Sequence, residues 1–370
     1  MKMRIAKVTV AAALLFTLAA SLAAPCAIAQ AQRKVIIDQD GRGPATTDQQ
    51  SMMLLIQSPD TQVLGLTIVS GDQWRDEELA HTLRMLEIIG RTDIPVVPGA
   101  VYPLLNNAQE IQRWEKLYGK VEYKGAWNPP SAGQRAHGPF EVPPLPEGAP
   151  AAKPASEDAA HFLVRMVHQY PHEVTLVALG PLTDLALATA IDSEFPLLAK
   201  ELVIMGGSIS PAWDSELHET PSRREFNFWF DPEAARIVLR ARWPRITVTT
   251  VDISVKTRLT RAMIAQIGQA QTPAAQYVAK WASEGFMWDE LAAAAWLDPS
   301  IITEQKQFYM DINVDHSAGY GDTLVWKPGN QPGLGERQVN VNWELNQEKF
   351  YRLFVDLISR PTPAAKPAPQ

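Results

Sequence analysis

Short apolar runs rich in β-branched residues alternate along the chain with longer segments of helical periodicity. Within the short runs, apolar residues rarely alternate with polar ones, which is typical of strands buried on both faces of a parallel sheet. Strands are predicted at residues 34–38, 63–69, 94–97, 174–179, 201–205, 246–251 and 307–313. Helices are predicted near residues 48–57, 76–90, 156–169, 182–190, 232–241, 261–284 and 289–296. We therefore predict a single-domain α/β fold, with an open, mostly parallel β-sheet and helices on both faces.

Residues 103–155 interrupt this alternation. The segment contains Trp114 and Trp127 and is rich in proline and glycine toward its end, so we predict an irregular insertion that serves as a lid or binding loop. No second core pattern begins cleanly after it, and we therefore predict one domain over residues 33–358. The tail, residues 361–370, is rich in proline and alanine and is predicted to be disordered.

The first 29 residues have the pattern of a signal peptide. Three basic residues precede an apolar run over residues 8–24, and Ala27-Ile28-Ala29 offers a cleavage site of small residues. The run is too short for a membrane anchor. The only cysteine, Cys26, lies in this leader, so the mature chain would have no disulfide, no cysteine-bound zinc and no cysteine nucleophile. We predict a periplasmic or secreted protein that has no membrane anchor after cleavage.

The charge balance of the mature chain is acidic. Cleavage removes three of the 34 basic residues and leaves 31 against 41 acidic ones, a net charge of −10. No basic run or stripe appears along the sequence. Binding to a nucleic-acid polymer or to an acidic membrane surface is therefore not expected.

Carboxylates gather where the first predicted strand ends. Asp38 and Asp40 close that strand, and Asp48 follows the loop GRGPATT. Ligands of open parallel sheets bind at the carboxyl ends of strands, and three acids there could hold a hard cation. A capping box formed by residues 47–50 is the alternative explanation for Asp48. Capping does not explain the Asp38 and Asp40 pair, so we favour a functional site that includes both residues.

Three further segments place unusual residues where strands end or helices begin. They are Gly71-Asp72, Met205-Gly206-Gly207 followed by Glu225-Phe226-Asn227, and Trp288-Asp289. Each is weak evidence alone, because an aspartate after a strand is often only a helix cap. Together with the first cluster, they indicate a single crevice at one edge of the sheet.

Taken together, these segments resemble the nucleoside hydrolase family over nearly the whole mature chain. The motifs that carry the resemblance are, in chain order, IIDQD, LGLTIVSGD, VTLVALGPLTDLALA, VIMGGS, EFNFWFDPEAA and WDELAAAAWLD. The resemblance implies an open α/β fold with Ca²⁺ at the carboxyl edge of the sheet. It implies that Asp40, Asp48, the backbone carbonyl of Leu179 and Asp289 bind the ion. Asp40 would also be the base that activates a water, and Asp38 beside it is a further catalytic candidate.

The resemblance also implies how a nucleoside, the expected small-molecule partner, would be bound. Ribose hydroxyls would be held by Asp72, Glu225 and Asn227, with Asp214 where the family often has asparagine and Met205 beneath the sugar. Cleaving an N-glycosidic bond develops positive charge on the sugar, which anionic oxygens stabilise. Calcium lowers the cost of forming hydroxide and accepts mixed carboxylate, carbonyl and water ligands. We also expect a homo-oligomer.

The sequence departs from the family pattern in two places. The family's first motif normally reads Asp-x-Asp-Pro-Gly-x-Asp-Asp, whereas here the loop is longer and Thr47 stands where an acid is expected. Many members have histidine before the residue that matches Asp289, but this chain has Trp288. Purine-preferring members place tryptophan there and sandwich the base between two indoles, and Trp114 is the candidate partner. An indole N–H is not an acid near neutral pH, so stacking would instead raise the basicity of the purine.

Core packing is the alternative explanation for both tryptophans. At the level of function, one alternative is a haloacid-dehalogenase-type phosphatase, but the acidic motif at Asp72 comes too early in the chain for one. The other is an exported nucleoside- or ribose-binding protein that has lost catalysis, which the change at Thr47 makes worth testing. The sequence thus predicts calcium-dependent hydrolysis of ribonucleosides to ribose and free base, with a preference for purines.

Overall fold

A computed structural model describes residues 32–129, 135–210 and 223–364. The predicted signal peptide and the last six residues lie outside the described part. From Gln32 onward the chain forms one compact unit. In the described residues, no helix combines the length and the apolar character needed to cross a bilayer.

The strands and helices follow one another in a mostly alternating order. The strands are β1 (Arg33–Gln39), β2 (Thr61–Ile68), β3 (Val96–Pro98), β4 (Val174–Ala178), β5 (Glu201–Met205), β6 (Ile246–Thr249), β7 (Arg258–Leu259), β8 (Gly285–Phe286), β9 (Ile302–Ile312), β10 (Thr323–Trp326) and β11 (Arg337–Leu345). The helices are α1 (Thr47–Gln57), α2 (Arg75–Ile89), α3 (Ala108–Tyr118), α4 (Ala159–Gln169), α5 (Thr183–Ile191), α6 (Phe195–Leu198), α7 (Phe226–Phe230), α8 (Pro232–Arg240), α9 (Val251–Ser254), α10 (Arg261–Ile267), α11 (Pro273–Trp281), α12 (Trp288–Leu297) and α13 (Gln347–Ser359).

One large sheet organises the described part of the chain. Its strand order is β10-β9-β11-β6-β5-β4-β1-β2-β3. The pairings from β11 to β3 are parallel, and β9 pairs antiparallel with both of its neighbours. The predicted class, an open and mostly parallel sheet in a single α/β domain, is confirmed. Strand order reverses direction between β1 and β4, which is the topological switch point where such sheets bind ligands.

Helices cover both faces of this sheet, as the apolar strands require. Val35 and Ile37 of β1 pack into a core on one face with residues of α1, α12 and α13. Ile36 points to the opposite face and packs with residues of α4, α5 and α8. All three side chains are fully buried. A strand covered on both sides gains from apolar residues at every position, which explains why β1 shows no alternation.

Some elements missed by the sequence prediction have mixed or weak apolar patterns, but α13 was missed although its buried residues recur at helical spacing. Strands β10 and β11, toward the antiparallel edge, consist mostly of half-exposed or exposed residues. The insertion 103–155 is not wholly irregular, because it contains α3, whose only buried residue is Ile111. The single helix predicted over 261–284 divides into α10 and α11, since Gly268 ends the first and Pro273 begins the second.

Candidate active site

A cavity of about 420 Å³ opens at the carboxyl ends of β1, β2, β4 and β5, beside the switch point. Most of the residues predicted from the sequence line it, namely Asp40, Asp48, Asp72, Leu179, Met205, Glu225, Asn227, Trp288 and Asp289. The prediction that four separate segments form one crevice is therefore confirmed for these residues. Asp214 lies outside the described residues.

Asp40 follows β1 directly and lines the cavity. Its Oδ2 accepts a hydrogen bond from the Asp72 backbone N–H at 2.9 Å, and its own N–H donates to Gln39 Oε1 at 2.9 Å. A Cβ atom on Gly71 would lie 2.1 Å from Asp40 Oδ2, and one on Gly180 would lie 2.8 Å from Oδ1. The two glycines of the SGD and LGPLTD motifs therefore make room for this carboxylate.

Asp48 and Asp289 complete a cluster of buried acids with Asp40. Burial raises the pKa of Asp40 well above its usual value, and Asp48, Asp72 and Asp289 each raise it further. Burial also raises the pKa of Asp48 to about 8, with a contribution from Asp72. Asp48 also raises the pKa of Asp289, and Gln39 Nε2 donates to Asp289 Oδ2 at 3.1 Å. Mutual repulsion among these acids would be relieved by a cation.

The oxygen atoms around the acidic cluster are of the kinds that bind a hard cation. Among the described residues, no three histidine, cysteine, aspartate or glutamate side chains already form a group with metal-binding geometry. Calcium, however, takes carbonyl and water oxygens as well as carboxylates, and the Leu179 carbonyl lines the same cavity as Asp40, Asp48 and Asp289. Three buried acids, two of which raise the pKa of the third, Asp40, fit such an ion, although the side chains alone do not form a preformed cage.

Residues at the start of α7 line the cavity together with the acidic cluster. Asn227 Nδ2 donates to the Leu179 carbonyl at 2.8 Å and to the Met205 carbonyl at 3.1 Å. Both amide hydrogens are thus engaged, and the amide oxygen is left to face the cavity as an acceptor. Glu225 accepts from three backbone N–H groups, those of Gly207, Asn227 and Phe228. These contacts fix a carboxylate and an amide oxygen at one side of the cavity, as binding of sugar hydroxyls requires.

Arg42 and Tyr123 also line the cavity, and the sequence interpretation missed both. Arg42 Nη1 lies 3.5 Å from Asp72 Oδ2 and donates to Tyr123 Oη at 3.2 Å. Arg42 belongs to the lengthened loop after Asp40, and Tyr123 belongs to the insertion. The one available signal was a basic residue placed inside an otherwise acidic motif. Arg42 offsets the charge of Asp72 at the mouth of the site.

The two tryptophans have different environments. Trp288 begins α12, is half-buried and lines the cavity, where its ring contacts Phe286 with a centroid separation of 4.9 Å. Trp114 lies at a second cavity, donates to the Ser317 carbonyl at 2.9 Å, and packs beneath the Arg224 guanidinium. The predicted pairing of Trp114 with Trp288 is therefore wrong, because α3 packs through Ile111 and turns Trp114 away from the site.

Asp38 also does not reach the cavity, which corrects its place among the catalytic candidates. Its Oδ2 accepts from Thr67 Oγ1 at 2.5 Å inside the sheet layer. Burial raises the pKa of Asp38, and the nearby Asp184 carboxylate raises it further. Burial likewise raises the pKa of Asp184 to about 6, and this side chain accepts from the Ala100 N–H at 2.7 Å. These two buried carboxyls influence each other's pKa, and neither lines the cavity.

Solved nucleoside hydrolase structures share this fold. A purine-preferring ribonucleoside hydrolase from Gardnerella vaginalis matches with a TM-score of 0.69 and 20% identity, over 88% of this chain and 98% of that chain. A plant nucleoside hydrolase matches with a TM-score of 0.68 and 23% identity, over 89% of this chain and 99% of that chain. At such low identities the likeness concerns the fold.

The sequence itself defines the family. The profile of the inosine-uridine preferring nucleoside hydrolases matches residues 35–352, and the chain belongs to this family. It is 28% identical over 332 residues to uridine nucleosidase 1 of Arabidopsis thaliana, covering 85% of this chain and 90% of that protein. It is also 28% identical over 343 residues to a pyrimidine-specific ribonucleoside hydrolase of Photobacterium profundum, covering 88% and 99%. The protein is thus a hydrolase of N-glycosyl compounds, and the phosphatase alternative is wrong.

Proposed function

We propose that the protein hydrolyses the N-glycosidic bond of ribonucleosides in a calcium-dependent reaction and prefers purine nucleosides. The observation that carries the proposal is the cluster of Asp40, Asp48 and Asp289, buried at the switch point beside the Leu179 carbonyl. A bound Ca²⁺ would lower the cost of ionising a water and would bind ribose hydroxyls. The products would be ribose and the free base.

The other steps of the proposed reaction are assigned to individual side chains of the cavity. Asp40 is placed to accept the proton of the attacking water, since its carboxylate lies among the other acids at the bottom of the cavity. Glu225 and the Asn227 amide oxygen are placed to accept hydrogen bonds from ribose hydroxyls. The cluster of carboxylates also stabilises the positive charge that develops on the sugar in the transition state.

The purine preference rests on Trp288. Its indole lines the cavity near the acidic cluster, with one edge supported by Phe286. A two-ring base overlaps an indole more fully than a one-ring base does, so stacking favours purines. Trp114 does not supply the second indole, and the aromatic residues of the cavity that remain available are Tyr123 and Phe226.

A pyrimidine preference is the second candidate, and the relatives favour it. The two sequence relatives named above are a uridine nucleosidase and a pyrimidine-specific ribonucleoside hydrolase, whereas one of the two structural neighbours is purine-preferring. Both sequence relatives cover most of this chain. The two candidates share the same acidic cluster and differ only in the base that occupies the space beside Trp288.

Initial-rate assays on the purified protein test these proposals together. The protein is treated with a chelator, resupplied with Ca²⁺, and assayed on inosine, guanosine and uridine by release of ribose. We expect activity to disappear on chelation, to return with calcium, and to give a higher kcat/KM for inosine than for uridine. Activity that survives chelation would contradict the metal dependence, and a uridine preference would contradict the purine assignment. Nucleoside binding without turnover would favour the binding-protein alternative.

We also propose that residues 1–29 direct export and that the mature enzyme is a homo-oligomer. The first proposal is supported by the basic, apolar and small-residue order of the leader. Mass spectrometry of protein from its native host should find a mature chain that starts near Gln30, and intact Met1 in the cytoplasm would contradict export. Light scattering on the mature protein tests the oligomer, and a monomeric mass would contradict it.

A further inference from the structure

A fourth carboxylate, Glu290, lies directly behind the acidic cluster. It follows Asp289 in the first turn of α12 and is 1% exposed. Its Oε2 accepts a hydrogen bond from Thr47 Oγ1 at 2.5 Å. Thr47 itself lines the cavity next to Asp48. The hydroxyl therefore forms a bridge between the cavity and a buried glutamate.

The direction of these hydrogen bonds follows from the two partners of Thr47 Oγ1. The Asp289 backbone N–H donates to Thr47 Oγ1 at 3.3 Å, so the single hydroxyl proton of Thr47 is directed to the carboxylate. The threonine oxygen keeps a lone pair that can accept from a ligand. Glu290 thereby fixes Thr47 as an acceptor rather than a donor at the cavity wall.

The charge of Glu290 needs a positive partner close by. A buried carboxylate is costly unless it is paired or well hydrogen-bonded. The hydroxyl that donates to Glu290, that of Thr47, carries no charge. An ion held by Asp48 and Asp289 would place positive charge beside Glu290, because this residue follows Asp289 in the chain.

We propose that Glu290 supplies through Thr47 the negative charge that residue 47 itself lacks, so that the Thr47–Glu290 pair supports both cation binding and orientation of the ribose. This inference rests on the calcium-dependent function proposed above. Glu290 is a positioning residue here, because it acts through Thr47 and through the field at the ion. The departure of Thr47 from the family's acidic motif is thus compensated by a carboxylate from α12.

Calcium titration of the chelator-treated protein tests the proposal without any use of activity. Groups that support metal ligands from behind typically contribute 10- to 100-fold to metal affinity. We therefore expect Glu290→Gln to raise the calcium Kd by roughly 10- to 100-fold. The double variant Thr47→Asp/Glu290→Gln returns a carboxylate to residue 47, and it should recover most of the lost affinity. Isothermal titration calorimetry measures all three proteins.

Glu233 offers a matched control. It is also a glutamate in the first turn of a helix, α8, and it also accepts from a hydroxyl, that of Tyr320, at 2.9 Å. It lies outside the cavity, so Glu233→Gln should leave the calcium Kd unchanged. If Glu290 only stabilises its helix, Glu290→Gln will lower the melting temperature as Glu233→Gln does and keep the wild-type calcium Kd.

Each result either supports or overturns the inference. A wild-type calcium Kd in Glu290→Gln overturns it and leaves the proposed function intact. If Glu290→Gln does not fold, Thr47→Val decides, because it keeps Glu290 and removes the bridging hydroxyl. The inference requires Thr47→Val to raise the calcium Kd, and an unchanged Kd overturns the inference. A wild-type protein that binds no calcium overturns this inference together with the proposed metal dependence.

Discussion

Truncation of Trp288 separates stacking on the leaving base from ordinary packing. The indole both lines the cavity and packs at the edge of the core, so Trp288→Ala could act through either role. One stack between a base and an aromatic ring contributes about 1–3 kcal/mol, which corresponds to a loss of roughly 5- to 150-fold in kcat/KM. We expect that loss with inosine.

The choice of substrate makes the two roles distinguishable. A nitrophenyl riboside has a good leaving group that needs no activation, so its hydrolysis should lose much less in Trp288→Ala. Steady-state kinetics on both substrates, with melting curves for each protein, provide the assay. Trp114→Ala is the matched control, because this indole lies at the second cavity, and it should leave the ratio of the two activities unchanged. Equal losses on inosine and the nitrophenyl riboside would refute stacking and favour packing.

Three further predictions concern the acidic cluster. Gly180→Ala would place a Cβ atom 2.7 Å from the Asp40 backbone N and should reduce kcat by about 100-fold. Gly138→Ala is the control, because a Cβ atom there meets nothing within 4 Å. Equal kcat values for the two variants would contradict the steric argument. Asp38→Asn should keep kcat within tenfold of wild type, since its carboxyl lies outside the cavity and accepts from Thr67 Oγ1. A larger loss would restore its catalytic assignment. Burial raises the pKa values of Asp48 and Glu290 to about 8. Between pH 5 and pH 8, the folded protein without calcium therefore binds protons that the unfolded chain has released. Its melting temperature should fall as the pH rises over this range. Calcium should abolish that slope, and a slope of opposite sign would contradict the assignment.

The strand ends could be predicted from sequence because each carries a local signal. The run that ends at Asp40 is apolar on both faces, and its acids appear abruptly, so both the strand and the site were predictable. Asp72 follows β2, whereas Asp48 and Asp289 lie in the first turns of α1 and α12. Polar residues where strands end or helices begin indicated one crevice at an edge of the sheet, and all three residues line the cavity.

The remaining features depend on tertiary geometry that no local pattern encodes. Asp38 and Asp40 are equally acidic in sequence, but only Asp40 lies beyond the end of β1 and reaches the cavity. The face of α3 that carries Trp114 is set by how Ile111 packs, and a matching distance along the chain could not reveal that. The contact between Thr47 and Glu290 joins residues 243 positions apart, so compensation for the missing acid became visible only in three dimensions.

Turnover of inosine by Asp40→Asn at saturating calcium tests the central claim most directly. Asparagine keeps the size of the side chain but removes the charge and the proton acceptor, so folding should be preserved. Loss of a general base typically costs 10²- to 10⁴-fold, and we expect kcat to fall by about 1,000-fold or more while the melting temperature of the chelated protein is retained. A wild-type kcat in Asp40→Asn would contradict the account.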